Sequence, residues 1–426
     1  MSGPSLATKT MLGVPSVLTP RASTWIVTGS ALGLMFGFGP LFFSVVTIFL
    51  KPIAATFGWG RADVAVLPMF ALMGTALGGP VVGYLADRIG WSKVIAGSIV
   101  LLAMMLGALA IAPANHLYFA AVGFMIGFLG SGTTPAGYLG VLPQLFYRRL
   151  GTALGLAMVG TGLGGILAPI AANRIGSMMD WRYWYALCGL IVLVFGFAAH
   201  RILFQNIPRK EPAGAYPHGT AASIEVEGLT FREAVRGYRF WLLAAVMFTM
   251  SCATIGGYVH LAPFISDQGL GHAVGATAAS VVGVGIALSR VGLGALLDWV
   301  FAPLVSFVCF CVGAAGFAVF LTDAAHIPAM LIFASFMLGI SMGSEGDLIP
   351  YLARRYFGRR AFGSIYGALF GAGTLGGAAG PFLYGIAFDR LGSYTIVHEV
   401  ALVACLIGAA APLLLGRYPA AQATDK

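Results

Sequence analysis

Uncharged apolar runs of about 20 residues or more, the length needed to cross a bilayer as a helix, alternate along the chain with short breaks rich in charge, Gly or Pro. Counting them gives twelve spans, at approximately 24–50, 62–86, 94–112, 116–145, 151–173, 183–203, 239–266, 273–298, 302–322, 327–352, 361–387 and 396–416. The uncharged stretch 94–147 is too long for one span and divides at Pro113-Ala114-Asn115-His116. One long polar segment, 205–236 with Pro208, Pro212 and Pro217, falls between the sixth and seventh spans. The pattern predicts an all-α membrane protein of two six-helix bundles: a tail 1–23, a first bundle 24–203, a linker 204–238, a second bundle 239–416 and a tail 417–426. Within the linker, Leu229 to Arg239 reads as an interfacial amphipathic stretch, and the segment argues for no chemistry of its own.

The two halves also repeat. Gly130-Ser131 with Tyr138-Leu139 recurs 213 residues later as Gly343-Ser344 with Tyr351-Leu352. Arg148, Gly151, Gly155, Leu163, Gly164, Gly165 and Pro169 recur at an offset of 212 as Arg360, Gly363, Gly367, Leu375, Gly376, Gly377 and Pro381. A nearly constant offset implies duplicated, pseudo-symmetric bundles around a central axis.

Composition excludes a soluble chain, with 59% hydrophobic and 9% charged residues and a mean hydropathy of +0.90. A net charge of +9 raises the question of nucleic acid, but the topology accounts for it. With the N-terminus inside, 18 of the Lys and Arg are cytoplasmic, among them Lys9, Arg148, Arg209, Lys210, Arg359, Arg360 and Lys426. Five (Lys51, Arg61, Arg174, Arg182, Arg390) lie outside, which puts both termini in the cytoplasm by the positive-inside rule. Residues 1–20 lack the pattern of a cleaved leader, so the first span is expected to serve as the membrane signal, and a bacterial inner membrane is the expected location. All five cysteines sit in apolar runs and read as packing residues rather than disulfides or metal ligands.

The remaining cation is Arg290, inside the apolar run 281–298. An arginine at mid-bilayer costs about 2.5 to 3.5 kcal/mol on insertion scales, so something has to recover that energy. Its planar fork of donors, charged at any relevant pH, matches a carboxylate. Span ten adds two acids in Gly343-Ser344-Glu345-Gly346-Asp347. Two ionised carboxylates so close in low dielectric repel, which makes Glu345 or Asp347 a candidate proton carrier. The plainer alternative is a structural partner for Arg359, Arg360 or Arg290. His260, thirty residues before Arg290, is a side chain that can change charge near neutral pH and donate to a carboxylate, or simply bond a neighbouring helix. No P-loop, metal-ligand spacing or nucleophile constellation occurs, so no enzyme activity, cofactor or metal is expected.

Gly83-Tyr84-Leu85-Ala86-Asp87-Arg88-Ile89-Gly90-Trp91-Ser92-Lys93, between spans two and three, resembles the signature loop of the major facilitator superfamily. The match covers Gly83, Leu85, Asp87, Arg88, Gly90 and Lys93 and departs at Trp91 and Ser92. Gly294-Ala295-Leu296-Leu297-Asp298 is a weaker echo in the second half, without the basic residues. The Asp of such a loop can meet the positive end of a neighbouring helix and latch one gate shut. Phe49-Leu50-Lys51-Pro52-Ile53 with Phe57-Gly58-Trp59-Gly60-Arg61, and Tyr258-Val259-His260-Leu261-Ala262-Pro263-Phe264, resemble the monocarboxylate transporters and their bacterial relatives, including the oxalate:formate antiporters.

That resemblance implies twelve helices and assigns Arg290 to the substrate carboxylate, with His260 nearby as in bacterial lactate carriers. It also places Thr133, Thr134, Tyr138, Tyr366 and Phe370 on pore-facing helices, with Tyr138 and Tyr366 as substrate contacts. Where animal-type members carry an aspartate before the arginine and a lysine on span one, this chain has Ile286 and Ser44, and Ala361 to Ala387 lacks the second cation of the oxalate antiporters. A single carboxylate on Arg290 is the simpler fit. The expected function is therefore alternating-access transport of a small organic anion, a monocarboxylate, in symport with a proton, by a monomer whose other partner is the lipid bilayer. The alternatives are a proton-coupled exporter of drugs or metabolites and a transport-dead anion sensor. Against the exporter, span five reads Gly165-Ile166-Leu167-Ala168-Pro169 without the Gly-Pro motif found there, although Gly380-Pro381 occurs on span eleven.

Overall fold

The computed structural model describes residues 18–146, 149–176, 179–207 and 228–419. Lys9, Arg148, Arg209, Lys210, Lys426, the three linker prolines and most of both tails lie outside the described residues. Among the described residues the elements are all helical: α1 (Pro20–Phe57), α2 (Arg61–Ile89), α3 (Trp91–Ala110), α4 (His116–Leu145), α5 (Leu150–Gly176), α6 (Trp181–Gln205), α7 (Tyr238–Val259, continued by Leu261–Asp267), α8 (His272–Leu297), α9 (Ala302–Phe320), α10 (Pro328–Phe357), α11 (Phe362–Leu391) and α12 (Thr395–Leu415). Eleven of these are long and apolar enough to cross a membrane by length and composition. The other, α11, is 30 residues long but diluted by glycine, and that glycine is what lets it pack in the middle of the molecule.

Boundaries differ from the hydropathy reading where charge is tolerated at a helix end. α1 starts at Pro20 behind the cap of Thr19, whose hydroxyl accepts from the Ala22 amide, and α2 and α10 run on to Ile89 and Phe357 through their terminal arginines. The turn from α2 to α3 is Gly90 alone, at φ 91°, which a β-carbon would strain. The expected amphipathic stretch 229–239 is instead a six-residue helix, Phe231–Arg236, that ends at Gly237 before α7 begins. Hydrogen bonds from Thr230 to Glu233 close its capping box, and the Leu229 amide donates to the Phe357 carbonyl, 2.8 Å away, pinning the linker to the end of α10.

Two helices that read as continuous are broken. α1 passes through a π-helical turn at Gly39–Phe43, and α4 through a 3-10 turn at Ser131–Thr133 ahead of Pro135. Broken backbone leaves polar groups that lipid cannot satisfy, and here the two breaks satisfy each other. The Phe38 amide donates to Thr133 Oγ1 at 3.1 Å, and Gly37 lies against the Thr133 carbonyl where a β-carbon would not fit.

The halves meet along α2 with α11 and α5 with α8. Glycines permit both seams: Gly83 against the Gly363 carbonyl, Gly79 against Gly367, and Gly151 against Gly294, each too close for a β-carbon. These contacts concentrate toward the end of the bundle that carries the α2–α3 turn and the linker helix, here called the linker face. α1 and α7 make no contact of similar extent, so the seam between the halves is tight at the linker face and looser toward the opposite face.

Candidate functional site

At the linker face two carboxylates hold the seam. Asp87, at the last turn of α2, accepts from the Gly363 amide (3.0 Å), the Ser364 amide (2.8 Å) and the Ser364 hydroxyl (2.7 Å), so it sits on the first turn of α11. Asp298, just past α8, accepts from the Gly151 amide (2.8 Å), the Thr152 amide (3.0 Å) and the Thr152 hydroxyl (2.7 Å), so it sits on the first turn of α5. Free amides and the positive end of the helix dipole make each N-terminus a carboxylate receptor. The two receptors, Gly151 and Gly363, are 212 residues apart and the two acids 211, so one latch is the image of the other. Of the rest of the signature loop, Arg88 lies over the Tyr84 ring at 4.4 Å, Gly83 lets α2 approach α11, Gly90 makes the turn, and Lys93 is exposed.

Above these two carboxylates lies Arg290. Its own carbonyl rests on Gly155 of α5, where no β-carbon would fit, and its Nη1 donates across the seam to the Met158 carbonyl at 3.2 Å. Nε is buried with no partner. The acid nearest in effect is Asp347 of α10, which is fully buried, lies within electrostatic range of Arg290, and has neither carboxylate oxygen hydrogen-bonded. Tyr366 of α11, also buried, feels the same carboxylate. A guanidinium and a carboxylate in low dielectric attract strongly, so leaving both with unused hydrogen-bonding positions and no closed pair is a feature that calls for a guest.

The other candidates fall elsewhere. Glu345 points away from Asp347, as residues two apart on a helix do, and accepts from Ser251 Oγ (2.8 Å) and Thr254 Oγ1 (3.0 Å) of α7. His260 is not brought to Arg290. Reckoned from the turn joining α7 to α8, His260 lies about ten residues down one helix and Arg290 about twenty down the other, a difference in depth of roughly 15 Å at 1.5 Å per residue. The histidine instead bridges helices within its own half, Nε2 to the Pro381 carbonyl at 3.0 Å and Nδ1 to the Tyr394 hydroxyl at 3.1 Å. A carbonyl only accepts, so Nε2 is the donor to Pro381. Tyr138 is buried with its ring against Gly33 of α1.

Between the halves, on the side of Arg290 away from the linker face, is a cavity of ≈ 220 Å³. Leu34, Phe38, Phe43, Leu72, Ile255 and Phe370 form its apolar wall, with Thr133 and Thr134 from the break in α4 as expected. Thr75, Thr161 and Thr374 also line it, and nothing in the hydropathy pattern singled them out. Arg290 is not in the wall. It lies just beyond the floor, since Phe370 contacts Tyr366 (ring centroids 6.3 Å) and the Thr161 hydroxyl contacts the sulfur of Met158, whose carbonyl holds Arg290.

Paired glycine seams and mirrored acid latches join two helical halves around a central cavity, the architecture of a two-bundle membrane transporter. The chain belongs to the Major Facilitator Superfamily, whose family model matches residues 32–381. It is similar to human monocarboxylate transporter 11, at 26% identity over 88% of this chain and 77% of that one, and to human monocarboxylate transporter 2, at 25% over 92% and 85%. An MFS-type transporter of Escherichia coli (strain K12), YhjX, is 26% identical over 71% of this chain and 74% of its own. Among solved structures, the human organic anion transporter MFSD10 superposes with a TM-score of 0.67 at 14% identity, covering 92% of this chain and 100% of that one. A structure of the Escherichia coli fucose:proton symporter FucP gives 0.67 at 14% identity over 92% and 99%.

Proposed function

We propose that this protein is a secondary transporter that carries a small monocarboxylate across the membrane together with one proton. The carrying observation is the pair Arg290 and Asp347: a half-buried arginine whose Nε is buried without a partner, and a fully buried acid whose two carboxylate oxygens are unpartnered. Arg290 receives the substrate carboxylate, Asp347 takes the proton, and Tyr366 stands beside the acid. The similarity to the monocarboxylate transporters supports the substrate class, and the likeness of fold to a fucose:proton symporter is compatible with proton coupling.

Charge balance supplies the coupling. Empty, the site holds one positive and one negative group and is neutral. With anion and proton both bound it is neutral again, because protonated Asp347 no longer counters the arginine that the substrate now neutralises. With only one of the two bound it carries a net charge, and burying an unpaired charge in a closed seam is heavily penalised. Only the empty and fully loaded forms close readily, which is symport. His260 and Glu345 then serve the integrity of the second half, each satisfied by its neighbours. By its basic residues the linker face is cytoplasmic, and the chain is proposed to act as a monomer with both termini on that side.

Reconstituted into liposomes, the wild type should take up a monocarboxylate when the outside is made acidic. Arg290→Ala should lose that uptake while eluting as the same folded species. Undiminished acid-driven uptake by this variant would rule the function out.

A further inference from the structure

We infer that the substrate is a monocarboxylate with one bulky apolar group, an aryl or branched alkyl chain, and not a hydroxylated or dicarboxylic acid. This rests on the carrier function proposed above and adds the identity of the tail. The walls of the cavity carry no charged residue, and the hydrogens of its threonine hydroxyls are already committed. Thr75 donates to the Ala71 carbonyl at 2.9 Å, Thr133 to Gly130 at 2.7 Å, Thr134 to Ser131 at 2.6 Å and Thr374 to Phe370 at 2.9 Å. The Thr161 hydroxyl turns to the Met158 sulfur. Each hydroxyl has one hydrogen, so none is left to donate to a guest.

Size points the same way. An apolar cavity of about 150 Å³ holds benzene, and this one, at ≈ 220 Å³, has room for a ring or branched chain and a short connector. Its floor, Phe370 and Thr161, is one helical turn from the groups that hold Arg290, as Thr161 lies three residues, about 4.5 Å of rise, beyond Met158. A guest with its carboxylate at the floor therefore has its tail among Leu34, Phe38 and Ile255. A hydroxyl on that tail could donate to a threonine oxygen but would find no donor for its own lone pairs, a loss of at most about 100-fold in an apolar pocket.

Competition for acid-driven uptake in liposomes tests this, with phenylacetate and 3-methylbutanoate against lactate, 4-hydroxyphenylacetate and succinate. The first two should compete at least tenfold better than lactate, and phenylacetate up to about 100-fold better than its 4-hydroxy form. Leu34→Trp, which fills the cavity, should erase the preference for phenylacetate over acetate. Preference for lactate or succinate, with uptake still lost in Arg290→Ala, would overturn the tail assignment and leave the carrier function standing. Loss of neither substrate in Arg290→Ala would overturn the carrier function itself.

Discussion

Arg290 is costly to bury, and the protein recovers little of that cost within itself: one carbonyl at 3.2 Å and the field of an acid that makes no contact. The Asp347 carboxylate accepts no hydrogen bond among the described residues. Removing its charge without its shape should separate transport from coupling. Asp347→Asn is expected to keep exchange of labelled for unlabelled anion and to lose accumulation driven by a proton gradient, by tenfold or more. Equal accumulation in variant and wild type would move the proton elsewhere. The place of Arg290 within a span was legible in the sequence, because a lone arginine interrupts the apolar run 281–298. The different surroundings of Glu345 and Asp347 were not, since they depend on which way each faces: Ser251 and Thr254 donate to the first, and among the described residues no donor reaches the second.

The proposed alternating access turns on helix ends. Opening the linker face would cost Asp87 on α11 and Asp298 on α5 three hydrogen bonds each. Hydrogen bonds to charged groups contribute roughly 1.5 to 3 kcal/mol net, so Asp87→Asn or Asp298→Asn should shift the protein toward a linker-face-open form by about that much. Labelling of a cysteine placed in the seam from that side should rise in either variant, and more in the double. Gly83→Leu should do so more severely, because its side chain would displace the Gly363 backbone. The linker helix has its own acid dependence. Hydrogen bonds from Thr230 hold Glu233 below the ordinary glutamate range, so its ionised cap is complete at neutral pH and is lost as pH falls through that lowered value. Amide exchange at residues 231–236 should quicken on the acid side only.

The second latch could have been found from sequence, for Asp298 follows Asp87 at nearly the same offset that relates Gly151 to Gly363. The missing basic residues made it look like a faint echo, though the contact uses only the carboxylate. By contrast, the breaks in α1 and α4 are invisible to hydropathy, which records that a run is apolar and not that its backbone turns. A thirty-residue spacing between His260 and Arg290 likewise says nothing about depth, because the chain reverses between them.

Across the molecule, the linker face is sealed by two latches and four glycine-paired helices, and the cavity lies above the seal. Twelve helices and their duplication were legible because bilayer thickness fixes span length and the two halves repeat in sequence. The cavity was not, because its walls come from several helices of both halves and its threonines show their polarity only in the sequence: in space the hydroxyls face backbone or sulfur. Neutrality of the site in both its empty and loaded forms is the claim on which transport depends. Its most direct test is the number of protons taken up per anion bound, read in lightly buffered detergent solution at a pH where the empty site is deprotonated. One proton per phenylacetate in the wild type, and none in Asp347→Asn, is the predicted result. Saturable binding with no proton uptake in the wild type would contradict it.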